Sequence, residues 1–244
     1  MKIQRLRVPS RLLDTSLPLI RYGSGGDPWL YLPTSGGDVE EFARYDLPRV
    51  VAPWVQRGEI QFITIDGYGP RTLFREDLAP QERIAGYQRF EQAVREELVP
   101  WLQAACGRDR LDLLGASYGA FVAVNLWLKQ PEAWRHVASL GGVFDMNHRF
   151  DDFHDDNVYF HTPVEFLPRL EDETALEAIR RPPSLRLFAA EDDSWVEDTH
   201  RLAAILRDKN VPFELDLWGS PHAHHESTWA MQIEKLLGEL YPSL

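Results

Sequence analysis

Gly115-Ala116-Ser117-Tyr118-Gly119 constrains this chain more than any other stretch. It is set between the apolar run Leu111-Asp112-Leu113-Leu114 and the run Ala120-Phe121-Val122-Ala123-Val124. A strand that turns sharply into a helix brings residues two before and two after the apex close together, and bulk at either position collides. Glycine at 115 and 119 removes that clash. The Ser117 hydroxyl is then held at the apex, beside the free amides and positive end of the following helix, where a developing negative charge is favoured. The arrangement reads as a nucleophile; the plainer alternative is an ordinary glycine-bearing turn between strand and helix.

The rest of the chain repeats the same alternation. Strands are expected at Gln4–Val8, Leu17–Tyr22, Trp29–Leu32, Ile60–Ile65, Leu111–Leu114, His136–Leu140, Ser184–Ala189 and Phe213–Leu217. Between them lie helical patterns: Asp38, a candidate N-cap, to Gln56, a long run marked by Ile84, Tyr87, Phe90, Val94, Leu98 and Leu102, then Tyr118–Lys129, Asp198–Asp208 and Thr228–Leu240. Apolar spacing of three or four residues in the long run is helical, and core packing explains it. Strands alternating with helices imply a mostly parallel central sheet with helices on both faces. Length fits one α/β domain over 1–244. Residues 143–183 interrupt the rhythm, rich in Phe144, Phe150, Phe153, Tyr159, Phe160 and Phe166, and read as a cap-like insertion over the carboxyl edge of the sheet, where open α/β folds bind ligands.

Composition narrows the partners. The formal net charge is −12, with 38 acidic and 26 basic residues. No basic cluster suits a nucleic acid; the densest charge run is acidic, Asp151, Asp152, Asp155 and Asp156. No apolar run is long enough to span a membrane, and no signal-peptide pattern follows Met1. The single cysteine, Cys106, precludes an internal disulfide and suits a cytoplasmic protein. The oligomeric state is open, a homo-oligomer included.

A serine hydroxyl needs a base to take its proton and an acid to orient that base. In a fold of this kind the acid follows the nucleophile in the chain and the base comes last. Asp193 is the first candidate acid, because Asp193-Ser194-Trp195-Val196 fits a turn that presents a carboxylate before a helix; Glu191, Asp192 and Glu197 are the alternatives. For the base, His222, His224 and His225 crowd together before the last helix, and residue chemistry alone does not choose among them. A metal reading of the three lacks H-E-x-x-H or Cys/His spacing; no metal or cofactor is expected. Acyl transfer also needs donors aimed at the oxyanion. These fall to the amide of Tyr118 and to the loop Thr34-Ser35-Gly36-Gly37, with the Ser35 amide first and Thr34 second.

Several stretches resemble the Putative esterase (esterase-D-like) branch of the α/β-hydrolase superfamily, and in particular a bacterial subgroup of it. They are Leu32-Pro33-Thr34-Ser35-Gly36-Gly37, Glu97-Leu98-Val99-Pro100-Trp101, Gly115 to Ala120, Asn157-Val158-Tyr159-Phe160-His161-Thr162-Pro163, and Trp218-Gly219 through Trp229. In that subgroup a tryptophan lies five residues after the base, so the resemblance selects His224, five before Trp229. It also marks Tyr159 and Phe160, with Thr34, as substrate-binding. The chain departs from the pattern in having His225-Glu226-Ser227 after His224 and Ala189-Ala190 before the acid segment.

The expectation is therefore a serine hydrolase acting on a small-molecule carboxylic ester through Ser117, His224 and Asp193. The alternatives are an acyltransferase with the same triad and a non-catalytic binding protein on a hydrolase fold.

Overall fold

In the computed structural model, which describes residues 1–150, 152–181 and 185–242, eight strands form one sheet. They are β1 Ile3–Ser10, β2 Thr15–Tyr22, β3 Asp27–Leu32, β4 Ile60–Ile65, β5 Leu111–Ala116, β6 Trp134–Leu140, β7 Leu185–Ala190 and β8 Phe213–Trp218. The described helices are α1 Glu41–Arg44, α2 Leu47–Gln56, α3 Pro80–Ala93, α4 Val99–Cys106, α5 Tyr118–Lys129, α6 Asp156–His161, α7 Pro163–Phe166, α8 Glu173–Arg180, α9 Val196–Asp208 and α10 Glu226–Leu240. The expected strands appear, most of them longer by a residue or two. Ser184, expected to open β7, and Asp151 of the acidic run lie outside the described residues.

The sheet order is β1-β2-β4-β3-β5-β6-β7-β8. The first two strands form an antiparallel hairpin, and β2 pairs antiparallel with β4; every pairing from β4 to β8 is parallel. This is the α/β-hydrolase architecture expected from the sequence. Strands covered on both faces are mostly apolar, with Gln61, Thr64, Asp112 and Ser139 buried among them. Along β3, Trp29 and Tyr31 face one layer with α1, α2 and α10, while Leu30 and Leu32 face the other with α3, α4 and α5. The two-residue period of a strand divides one run of sequence between two cores.

Two helices differ from expectation. Asp38 does not cap a continuous helix; its carboxylate accepts the Glu40 amide and pairs with Arg44, and the chain breaks at Asp46, which takes a left-handed φ of 54°. The long run from Pro80 to Cys106 widens into a π-helical turn over Val94–Leu98. Pro100 has no amide to donate and its ring crowds the carbonyl four residues earlier, which accounts for the widening.

From β3 the chain passes outward to β4, then returns across β3 to β5. The order of strands reverses at that point, and in such sheets the loops leaving the carboxyl ends diverge there and leave a crevice. The loop after β3 and the turn after β5 border this crevice. Three further hydrogen bonds tie successive loops to the next strand: the Ser117 amide donates to the Leu140 carbonyl, the Gly141 amide to Phe188, and the Glu191 amide to Trp218, each at 2.8 Å.

Candidate active site

Ser117 sits between β5 and α5 with φ 54° and ψ −118°, a conformation costly for any residue but glycine. The flanking glycines allow it. A Cβ on Gly115 would stand 2.0 Å from the Gly119 carbonyl oxygen, and one on Gly119 would stand 2.1 Å from that of Leu32. The second clash is with the end of β3 and not across the turn itself. Gly119 therefore also sets how closely the Ser117 turn approaches the Ser35 loop.

The Ser117 Oγ lies 2.9 Å from Nε2 of His224. On the other side of the ring, Nδ1 lies 3.0 and 2.9 Å from the two carboxylate oxygens of Asp193. Asp193 is buried, and its Oδ1 also accepts the Trp195 amide at 2.8 Å, fixing the carboxylate before α9 begins. Glu191, Asp192 and Glu197 are exposed.

The three neighbouring histidines have separate surroundings. His225 caps α10, its Nδ1 accepting the Ser227 amide, while its Nε2 lies 3.1 Å from Glu226. His222 packs edge-on against Trp218. The Trp229 ring stands perpendicular to His224 with centroids 5.1 Å apart, so the five-residue spacing corresponds to a direct contact. Among the described residues no group of three or more His, Cys, Asp or Glu is arranged to hold a metal ion.

Gly141 carries a signal the sequence reading missed. It has φ +53°, and a Cβ there would lie 2.7 Å from Asp193 Oδ2, 3.2 Å from His224 Nδ1 and 3.2 Å from Trp229 Nε1. The hydrogen-bonded pair Asp193–His224 rests against a residue that cannot carry a side chain.

A cleft of about 150 Å³ opens beside Ser117. Ser35, Tyr118 and His224 border its reacting side; Phe74, Val143, Met146, Arg149 and Trp195 complete it. The amide of Tyr118, first in α5, has no acceptor within the helix. A larger cleft of about 670 Å³, between the β1–β2 turn and α3, contains none of these groups.

Thr34, Tyr159 and Phe160 are not among the residues that line the cleft. The Thr34 amide and hydroxyl both donate to the buried Glu41 carboxylate, at 2.9 and 2.6 Å, and Tyr31 donates to it as well, at 2.9 Å. Burial pushes the Glu41 carboxyl above its ordinary value. Phe160 is 55% exposed, and Tyr159 packs on Phe160 and beneath Arg169. The surrounding sequence acts as an anchor. The His161 ring lies against Tyr87 and near Glu91, and Asn125 donates to the His161 carbonyl. From the 143–183 segment, Val143, Met146 and Arg149 reach the cleft instead; the start of that segment is held by Asp198, which accepts the amides of Phe144 and Asp145.

Compared with known families, the sequence matches Putative esterase over residues 49–238. The chain belongs to this esterase family. Compared with proteins of curated function, the sequence finds no match. The esterase's fold is shared with solved structures at low identity. A ferulic acid esterase superposes with a TM-score of 0.77 at 14% identity, covering 98% of this chain and 97% of that one. The S-formylglutathione hydrolase of Staphylococcus aureus gives 0.73 at 14%, covering 98% and 99%, and that of Agrobacterium tumefaciens 0.72 at 13%, covering 97% and 93%. The chain is an esterase by family with the α/β-hydrolase fold, and no helix among its described residues is long and apolar enough to cross a membrane.

Proposed function

We propose that Ser117, His224 and Asp193 form a catalytic triad that hydrolyses carboxylic esters through an acyl-enzyme. The observation that carries the reading is the unbroken hydrogen-bonded line from the Ser117 hydroxyl through both ring nitrogens of His224 to the Asp193 carboxylate.

In this mechanism the Ser117 Oγ attacks the ester carbonyl carbon as its proton passes to His224 Nε2. Asp193 accepts the Nδ1–H bond, keeps the ring in the tautomer whose Nε2 is free to take a proton, and stabilises the imidazolium. The oxyanion is placed at the amides of Tyr118 and Ser35. Collapse breaks the bond to the alkoxy group, which leaves as the alcohol with the proton from Nε2. Water then attacks the acyl-enzyme, giving a proton to His224; the carboxylic acid departs and Ser117 recovers its proton. Glu41 takes no part in the chemistry in this scheme; by holding Thr34 it positions the loop that offers the Ser35 amide. The start of the 143–183 segment serves as one wall of the cleft.

The test is labelling with a fluorophosphonate probe followed by peptide mapping. Modification of Ser117 in the wild type, and none in Asp193→Asn or His224→Ala at matched exposure, is the expected result. A folded wild-type protein that stays unlabelled, or that is labelled elsewhere, would refute the assignment.

A further inference from the structure

We propose that the cleft beside Ser117 selects esters bearing a negatively charged group, a carboxylate above all, held by Arg149 with Arg83 behind it. This rests on the reading of Ser117 as the nucleophile.

Among the residues that line this cleft, Arg149 is the one with a permanent charge; Phe74, Tyr118, Val143, Met146 and Trp195 supply the rest of the wall beyond the polar Ser35, Ser117 and His224. The Arg149 guanidinium lies over the Phe74 ring, 4.8 Å from its centroid, and its buried Nε has no hydrogen-bond partner among the described residues. Arg149 also borders an adjoining polar space of about 350 Å³, shared with Arg83, His148 and Glu76. Arg83 is 7% exposed, sits over Phe150 at 5.2 Å and donates to the Arg149 carbonyl, and its Nε too has no partner among the described residues.

A cation that is buried, as Arg83 is, or half-buried, as Arg149 is, is ordinarily paired with an acid, because desolvating it unpaired is costly. The chain has 38 acidic residues against 26 basic ones, yet among the described residues neither guanidinium is ion-paired. Glu76 shares the adjoining space but is exposed and bonded to neither. The guanidinium fork matches a carboxylate in plane and spacing. An anionic group on the substrate would supply the missing partner and, in doing so, fix the ester against Ser117.

The experiment compares kcat/KM within two pairs of esters that differ in charge. On the acyl side, mono-4-nitrophenyl glutarate is set against its methyl ester; on the alcohol side, 4-acetoxybenzoate is set against methyl 4-acetoxybenzoate. In at least one pair the anion should be preferred by about tenfold or more, with the advantage shrinking as salt is raised. That preference should fall roughly 10- to 100-fold in Arg149→Gln and return in part in Arg149→Lys. No anionic preference in either pair, or one that survives Arg149→Gln, overturns the proposal. The wild-type ratios and their salt dependence decide the matter even if the variant fails to fold. Labelling of Ser117 together with equal turnover of anion and neutral ester defeats this inference alone, whereas an unlabelled Ser117 with no turnover defeats the triad and this inference with it.

Discussion

Asp193 holds His224 with both carboxylate oxygens, at 3.0 and 2.9 Å from a single ring nitrogen, while one of them also accepts the Trp195 amide. The Asp193 carboxylate is thereby oriented from two sides. In Asp193→Asn the amide can turn its NH2 toward Nδ1, and the ring then takes the tautomer that leaves Nε2 unable to accept a proton. The expected loss in kcat is about 10²- to 10⁴-fold with little change in KM. Steady-state kinetics on 4-nitrophenyl acetate would show it, and a loss below tenfold in a folded variant would remove Asp193 from the mechanism.

The histidine cluster separates by variant. His224→Ala should lower kcat/KM by about three orders of magnitude or more. His222→Ala should keep most activity. His225→Ala should also keep activity but lower the melting temperature, since it removes the α10 cap at a cost of about 1 kcal/mol. Equal losses of activity across all three would contradict the separate surroundings of these rings.

Ser117, the proposed nucleophile, has an unfavourable backbone, φ 54° and ψ −118°. Glycine accepts positive φ without a Cβ penalty. Ser117→Gly should therefore melt above Ser117→Ala, by an increment on the order of 1 kcal/mol, while neither hydrolyses esters. Paired thermal unfolding of the two variants gives the answer; an alanine variant at least as stable as the glycine one would show that the turn is not strained.

Glu41 gives a dependence on pH. Burial raises its carboxyl above the ordinary value in the folded protein despite donors from Thr34 and Tyr31. A raised acid binds its proton more tightly when folded, so its contribution to stability is full below the unfolded value and is lost as pH rises through the folded one. Glu41→Gln carries no such titration. The melting temperature of the variant relative to wild type should climb between about pH 4 and about pH 7. A difference that stays constant, or falls, over that range would mean the carboxyl is not raised.

The fold was readable because each strand is a short apolar run ended by a turn, and because Gly115 and Gly119 bracket a turn with few solutions. The residues near Ser117 were harder. Asp193 had three nearby rivals, and what distinguishes it, burial against His224, is a long-range property. Thr34 stands in the expected loop, yet Glu41, seven residues later, claims both its donors. Tyr159 and Phe160 belong to a stretch anchored through His161 to Tyr87 and Asn125, and neither lines the cleft. Gly141 has no local signature, because the groups that exclude a side chain there come from positions 193, 224 and 229. Arg83 and Arg149 are 66 positions apart in the chain, and no local pattern joins them.

The loop-to-strand hydrogen bonds from Ser117 to Leu140, from Gly141 to Phe188 and from Glu191 to Trp218 act as a series of tethers running outward to β8, the last strand of the sheet. An edge strand is bonded on one side only and opens more readily than an interior one. Loosening should then begin at the Glu191 tether, two links away from the nucleophile. As the protein warms, it should lose the support of Asp193, the proposed acid, while Ser117 is still held in place, passing through a folded but idle form before the sheet gives way.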